Sequence, residues 1–227
     1  MPSSSDLQLV VFDCDGTLVD SQHSIIDSMS AAFEAHTHTV PKAESIRQVV
    51  GLPLRHAIGQ LLPQLEDEEH GRVENSYIEA FHELRQQGKV TDPLYPGALE
   101  TIKQLADAGF LLGIATGKGS RGLLATLETH GITDRFNTLQ TADTAPGKPN
   151  PGMLLNAMNE TGTEPKNTAM IGDTTFDIEM AVSAGTLAVG VSWGYHPLEH
   201  LKSVGANAVI EEFAELPDRL QAMGMAF

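Results

Sequence analysis

The chain has 227 residues, enough for one large domain or for a medium domain with a small companion. A formal net charge of −16 without a basic stripe argues against nucleic acid or an anionic membrane as a partner. The 41% hydrophobic content is ordinary, and no apolar run nears the ~20 residues of a membrane span. A soluble, cytoplasmic protein is therefore expected, the more so because Met1-Pro2-Ser3-Ser4-Ser5-Asp6 lacks a basic and apolar secretory pattern. The single cysteine, Cys14, cannot form an intrachain disulfide and reads as a buried small residue.

In chain order, the first strand is the apolar run that reaches Val10, Val11 and Phe12 and then delivers Asp13-Cys14-Asp15-Gly16-Thr17. In extended backbone, residues two apart share a face, so Asp13 and Asp15 are expected side by side with Cys14 turned away. Two carboxylates at about 4 Å repel by roughly 4 kcal/mol at an effective dielectric of 20, so the pair calls for a cation, a shared proton or water. A hard divalent cation is the first expectation.

From residue 20 to residue 92 helical spacing takes over: Ile25, Ile26, Met29, Ala32 and Phe33; Ile46, Val49 and Val50; Ala57, Ile58, Leu61 and Leu62; Val73, Tyr77, Ile78, Phe81 and Leu84. A helical insert placed directly after the carboxylates suits a lid over a site, or else helices packed on the main sheet. The turn-rich segment Thr91-Asp92-Pro93-Leu94-Tyr95-Pro96-Gly97 closes it. Strands and helices then alternate: helix 98–108, strand 110–115, helix 120–130, weak strand 136–141, helix 151–160, strand 168–171, helix 175–184, strand 187–191, short strand 208–210 and a C-terminal helix. Such alternation specifies an α/β, Rossmann-like parallel sheet flanked by helices, with a small helical cap domain. The division is 1–19 with 93–227 for the core and 20–92 for the cap.

Ligands bind beyond the carboxyl ends of parallel strands, and four turns there carry chemistry. The first holds Asp13 and Asp15. The second is Thr116-Gly117-Lys118-Gly119, where a hydroxyl and a closely approachable backbone N–H could grip a phosphoryl oxygen, although a plain strand-to-helix turn would read the same way. The third, Gly147-Lys148-Pro149, stiffens a compact positive charge, which in isolation would equally fit a surface lysine. The fourth is Gly172-Asp173-Thr174-Thr175-Phe176-Asp177; its two acids, four residues apart, could face one cavity, or Asp177 could be an acid favoured by the helix N-terminus. Mg²⁺, which takes oxygen ligands, would satisfy such a concentration of carboxylate. His36-Thr37-His38 has no nearby companion ligand and reads as a loop; Trp193-Gly194-Tyr195-His196 follows a strand end, where it would line the rim or pack.

The order and spacing of these four motifs resemble the haloacid dehalogenase-like hydrolases, and within them the phosphoglycolate phosphatase-like branch with a helical cap after the first motif. The resemblance implies that Asp13 is the nucleophile of an aspartyl-phosphate and Asp15 the general acid and base. It implies Thr116, Gly117 and Lys148 as phosphate-binding, with Lys148 also steadying Asp13, and Mg²⁺ held by Asp13, the Asp15 backbone carbonyl and Asp173, with Asp177 in support. Gly51 of Val50-Gly51-Leu52-Pro53, Arg55 just after it, and Lys118 are the candidates for substrate specificity, though Arg55 fits a helix surface equally well. The implied activity is a Mg²⁺-dependent phosphatase on a small phosphorylated metabolite, phosphoglycolate-like or a sugar phosphate, acting as a monomer in preference to a dimer. Its rivals are a phosphosugar mutase of the beta-phosphoglucomutase type and a non-catalytic binding protein on the same fold.

Overall fold

A computed structural model of the chain describes residues 7–226; residues 1–6, where no targeting pattern was found, lie outside the described residues, as does residue 227. Six strands, β1 (Leu9–Phe12), β2 (Leu111–Ala115), β3 (Thr138–Gln140), β4 (Thr168–Gly172), β5 (Leu187–Val191) and β6 (Ala208–Ile210), form one parallel sheet of order β3-β2-β1-β4-β5-β6. Every residue of β1 is buried, as a central strand covered on both faces requires. Leu9 and Val11 pack on one face with Met153, Leu154 and Ile178; Val10 and Phe12 pack on the other with Ile102, Leu105 and Leu123. Those partners come from the crossover helices α5 (Ala98–Asp107), α6 (Ser120–Thr129), α7 (Gly152–Thr161) and α8 (Thr175–Ala184).

Register brings the ends of the strands to one edge. Phe12 pairs with Ile114 and with Ile171, so Asp13 follows level with the last residues of both neighbouring strands, and its N–H donates to the Ile171 carbonyl at 2.9 Å. Strand order reverses at β1, which opens a crevice at its carboxyl end.

Four helices precede α5: α1 (Gln22–Ala35), α2 (Ala43–Arg47), α3 (Leu54–Leu61) and α4 (Asp67–Gln86). They bury Ile25, Met29, Phe33, Ile46, Ile58 and Val73 in a hydrophobic cluster separate from the two sheet faces. The expected helix through Ile46, Val49 and Val50 is shorter in the structure. It ends at Arg47, and Val49 packs in the following turn against Leu52 and Ala57. The remaining helices are α9 (Leu198–Ser203), which the sequence pattern did not reveal, and α10 (Leu216–Ala222). Only Leu201 is buried along α9, so no apolar periodicity was available to mark it. Among the described residues, no helix is long and apolar enough to cross a membrane.

Candidate active site

The chain leaves β1 in a tight loop. Leu18 and Val19 donate to the Cys14 carbonyl, Gly16 adopts φ +82°, and the Trp193 indole donates to the Thr17 carbonyl at 3.0 Å. Glycine is required at position 16 for that φ, and a Cβ there would also meet the Tyr195 ring and a carboxylate oxygen of Asp173. Cys14 points into the core, where burial holds its thiol well above the usual range. Asp13 and Asp15 both line one cavity while Cys14 turns away, and each carboxylate faces a lysine. Lys148 Nζ lies 2.8 Å from Asp13 Oδ2, while Lys118 Nζ lies 3.0 Å from Asp15 Oδ1, which also accepts from the Ser21 hydroxyl at 2.6 Å.

The carboxylates that do gather are Asp13, Asp173 and Asp177, one oxygen from each within 4.8 Å of the others, all buried. Asp173 comes from the end of β4 and accepts from the Thr17 hydroxyl at 2.7 Å and the Tyr195 N–H at 2.9 Å. Asp177 serves in both of the ways its sequence position allowed. One oxygen closes a capping box with Thr174 at the start of α8, and the other pairs with Lys148 at 2.5 Å. A Cβ on Gly172 would occupy the space of the Asp177 side chain, so this glycine makes the close return of Asp177 possible.

Electrostatics follow from the burial. Desolvation raises Asp13 from its usual range to about 7, with Asp177 and Asp15 adding to the rise and Lys148 opposing it. Desolvation, then Asp177 and Asp13, likewise lift Asp173 well above the carboxylate range. Burial alone would lower Lys148, but Asp13 and Asp177 hold its ammonium above the ordinary lysine value. With all three carboxylates ionised, the one ammonium would leave two negative charges unmatched, so burial and mutual repulsion together raise Asp13 and Asp173. An all-oxygen donor set with that deficit fits a hard divalent cation.

A cavity of about 640 Å³ opens above Asp13 and Asp15. Thr116, Gly117 and Lys118 line its core side, and Gly51, Leu52 and Arg55 line the side of the helices. The Thr116 hydroxyl accepts from the Lys118 N–H at 3.2 Å, which fixes the turn. Gly117 is in close contact with the segment after α2: a Cβ there would stand 2.9 Å from the carbonyl oxygens of both Gly51 and Leu52. Arg55 lines the cavity with its guanidinium already engaged, by Glu74 at 2.6 Å and Asp67 at 3.3 Å. Lys118 is engaged by Asp15 and lies over the Phe81 ring, 5.3 Å from its centroid. The structure thus gathers Asp13, Asp15, Thr116, Gly117, Lys118 and Lys148 at one edge with Asp173 and Asp177, and sets Gly51 and Arg55 across the cavity.

Several contributors were not singled out from sequence. Thr17 and Ser21 hold Asp173 and Asp15, and both lie within or beside the first motif, which is the signal that could have found them. Trp193 takes the packing role its position allowed, against Phe213 with ring centroids 4.7 Å apart, and its indole also bonds to the loop at Thr17. His196 ties the core to the helices, accepting from the Thr175 N–H through Nδ1 at 3.1 Å while Nε2 sits 3.2 Å from the Gln48 carbonyl.

The sequence pattern of haloacid dehalogenase-like hydrolases matches residues 10–191, which takes in all four catalytic-edge turns. The chain belongs to this family. A relative from Dickeya dadantii, "Probable phosphatase IndB", is 35% identical over 95% of this chain and 94% of its own. A "Phosphoglycolate phosphatase" from Vibrio vulnificus is 32% identical over 95% of this chain and 97% of its own. Among solved structures, that of "a predicted phosphatase from Clostridium acetobutylicum" superposes with a TM-score of 0.86 at 24% identity, covering 96% of this hydrolase and 100% of that chain, which establishes the shared fold.

Proposed function

We propose that the protein is a Mg²⁺-dependent phosphatase that hydrolyses a small phosphorylated metabolite through an aspartyl-phosphate on Asp13. The enzyme is a hydrolase of phosphoric monoesters. The observation that carries the finer reading is Asp13 itself: a buried carboxylate at the centre of the sheet edge, held by Lys148, within a group of three buried carboxylates that share one ammonium. Relatives named for phosphoglycolate support a small phosphorylated substrate.

Asp13, Asp173 and the Asp15 backbone would hold Mg²⁺, with Asp177 in support; when bound, the ion supplies positive charge opposite the transferring phosphoryl group. Asp13 attacks phosphorus, and Lys148 orients its carboxylate and favours the ionised form. Thr116 and the Gly117 N–H bind phosphoryl oxygens, adding donors where charge develops. Asp15, positioned by Ser21 and Lys118, protonates the departing oxygen and then accepts a proton from the water that cleaves the acyl phosphate. Residues 20–92 form a cap over a core of 1–19 and 93–227, with Gly51 and Leu52 seated against Gly117 and Pro53 against Gly147.

The test is a panel of phosphorylated metabolites assayed with and without Mg²⁺, for the native protein and for Asp13→Asn. Hydrolysis that requires the metal and disappears in Asp13→Asn supports the reading. Turnover indifferent to chelation would remove the metal, and turnover that survives the substitution would remove the nucleophile.

A further inference from the structure

The cavity above Asp13 is built differently on its two sides. The core side is polar, but the opposite wall presents Ile25, Met29, Val49, Leu52, Tyr77 and Phe81. Ile78, also on this wall, leaves 42% of its surface exposed. Of the cations lining the cavity, Arg55 is matched by Glu74 and Asp67 and Lys118 by Asp15, while Arg85 and Arg121 make no ion pair among the described residues. Arg85 lies 5.5 Å from the centroid of Phe81, whose ring also lies against Lys118. The volume of about 640 Å³ falls within the ~300–1,000 Å³ that encloses ligands far larger than a two-carbon acid.

A sugar or a dicarboxylate laid against Ile78 and Phe81 would lose water without gaining hydrogen bonds from those side chains, which is costly. An apolar body would cover wall side chains that otherwise face solvent, which is favourable. We propose that the substrate is a phosphomonoester whose alcohol carries an apolar body, aromatic or branched aliphatic, seated against Tyr77, Ile78 and Phe81 of α4. This rests on the phosphatase reading for the placement of the phosphoryl group at Asp13, and it narrows the leaving group.

The test compares primary alcohol esters of similar leaving ability, 3-phenylpropyl phosphate against n-propyl phosphate, phosphoglycolate and glycerol 3-phosphate, all with Mg²⁺. Binding of 3-phenylpropylphosphonate and n-propylphosphonate is measured alongside by calorimetry. Burying one phenyl group predicts a preference of about 10–100-fold in kcat/KM and in phosphonate affinity. Phe81→Ala and Ile78→Ser should each lower that ratio, and the second, at a solvent-facing position, guards against a folding defect in the first. Equal ratios, or a preference for phosphoglycolate with hydrolysis intact, would overturn the apolar leaving group and leave the phosphatase standing. Tight, phenyl-dependent phosphonate binding with no ester hydrolysed would instead overturn the phosphatase and leave the apolar site standing.

Discussion

Lys148 is wholly buried between Asp13 and Asp177, and neither carboxylate has another cation within ion-pair distance among the described residues. Removing one partner of a buried ion pair strands the other charge. Lys148→Met should therefore destabilise the fold by about 3–5 kcal/mol, read by denaturant unfolding, and part of that loss should return with Mg²⁺. A loss under about 1 kcal/mol would mean that the two acids are neutral in the folded protein. Asp15 sits apart from this group, so Asp15→Asn is expected to lower kcat by about 10²–10⁴-fold, the usual contribution of a proton donor and acceptor, while Mg²⁺ affinity changes little. Cys14 supplies a control on the packing of the loop. Its burial and raised thiol predict no labelling by a thiol reagent until the protein unfolds, and rapid labelling of the native state would place it elsewhere.

At the scale of elements, the contact between the two sides of the cavity depends on glycines that leave no room for a side chain. A Cβ on Gly147 would collide with the Pro53 ring, and one on Gly117 would press on the carbonyls of Gly51 and Leu52. Gly147→Ala should thus lift the 50–53 segment from the core. The expected signature is faster amide exchange there and a lower kcat/KM, with exchange in β1 and β4 unchanged; unaltered exchange would show that Pro53 yields locally. The elements themselves were largely legible in the sequence because parallel strands buried on both faces read as apolar runs, and Gly109, Gly131 and Gly185 mark the turns that close α5, α6 and α8. The four turns were legible for the same reason, since topology delivers them to one edge. The resemblance implied Lys148 beside Asp13, but the other charge pairings could not be read. Lys118 with Asp15 and Lys148 with Asp177 are contacts between residues distant in sequence, which no local pattern reveals.

For the molecule as a whole, three acids clustered in the interior make stability depend on protons and, if Mg²⁺ binds there as proposed, on the metal. Asp13 has a folded value of about 7 against 3.8 unfolded, so between those pH values the folded state binds the proton that the unfolded state has released. Stability of the metal-free protein contributed by this group is thus present below pH 3.8 and lost as pH rises through about 7. Asp173 shifts in the same direction. Metal-free protein should accordingly unfold at a lower temperature at pH 8 than at pH 6, and added Mg²⁺ should raise that temperature more at pH 8, where the acids are ionised. An equal Mg²⁺ effect at both pH values would argue that the ion binds outside this cluster.

The central claim is that Asp13 carries the phosphoryl group. In Asp15→Asn, an ester whose leaving group needs no proton, 4-nitrophenyl phosphate, should still react, but the acyl phosphate should accumulate because the proton acceptor for water is gone. Peptide mapping after acid quench in the presence of Mg²⁺ tests this directly. One phosphoryl group is expected on the peptide containing Asp13, absent when Asp13→Asn is added. A burst of nitrophenol with the phosphoryl group on any other residue, or released from the protein as phosphate without ever being bound, would contradict it.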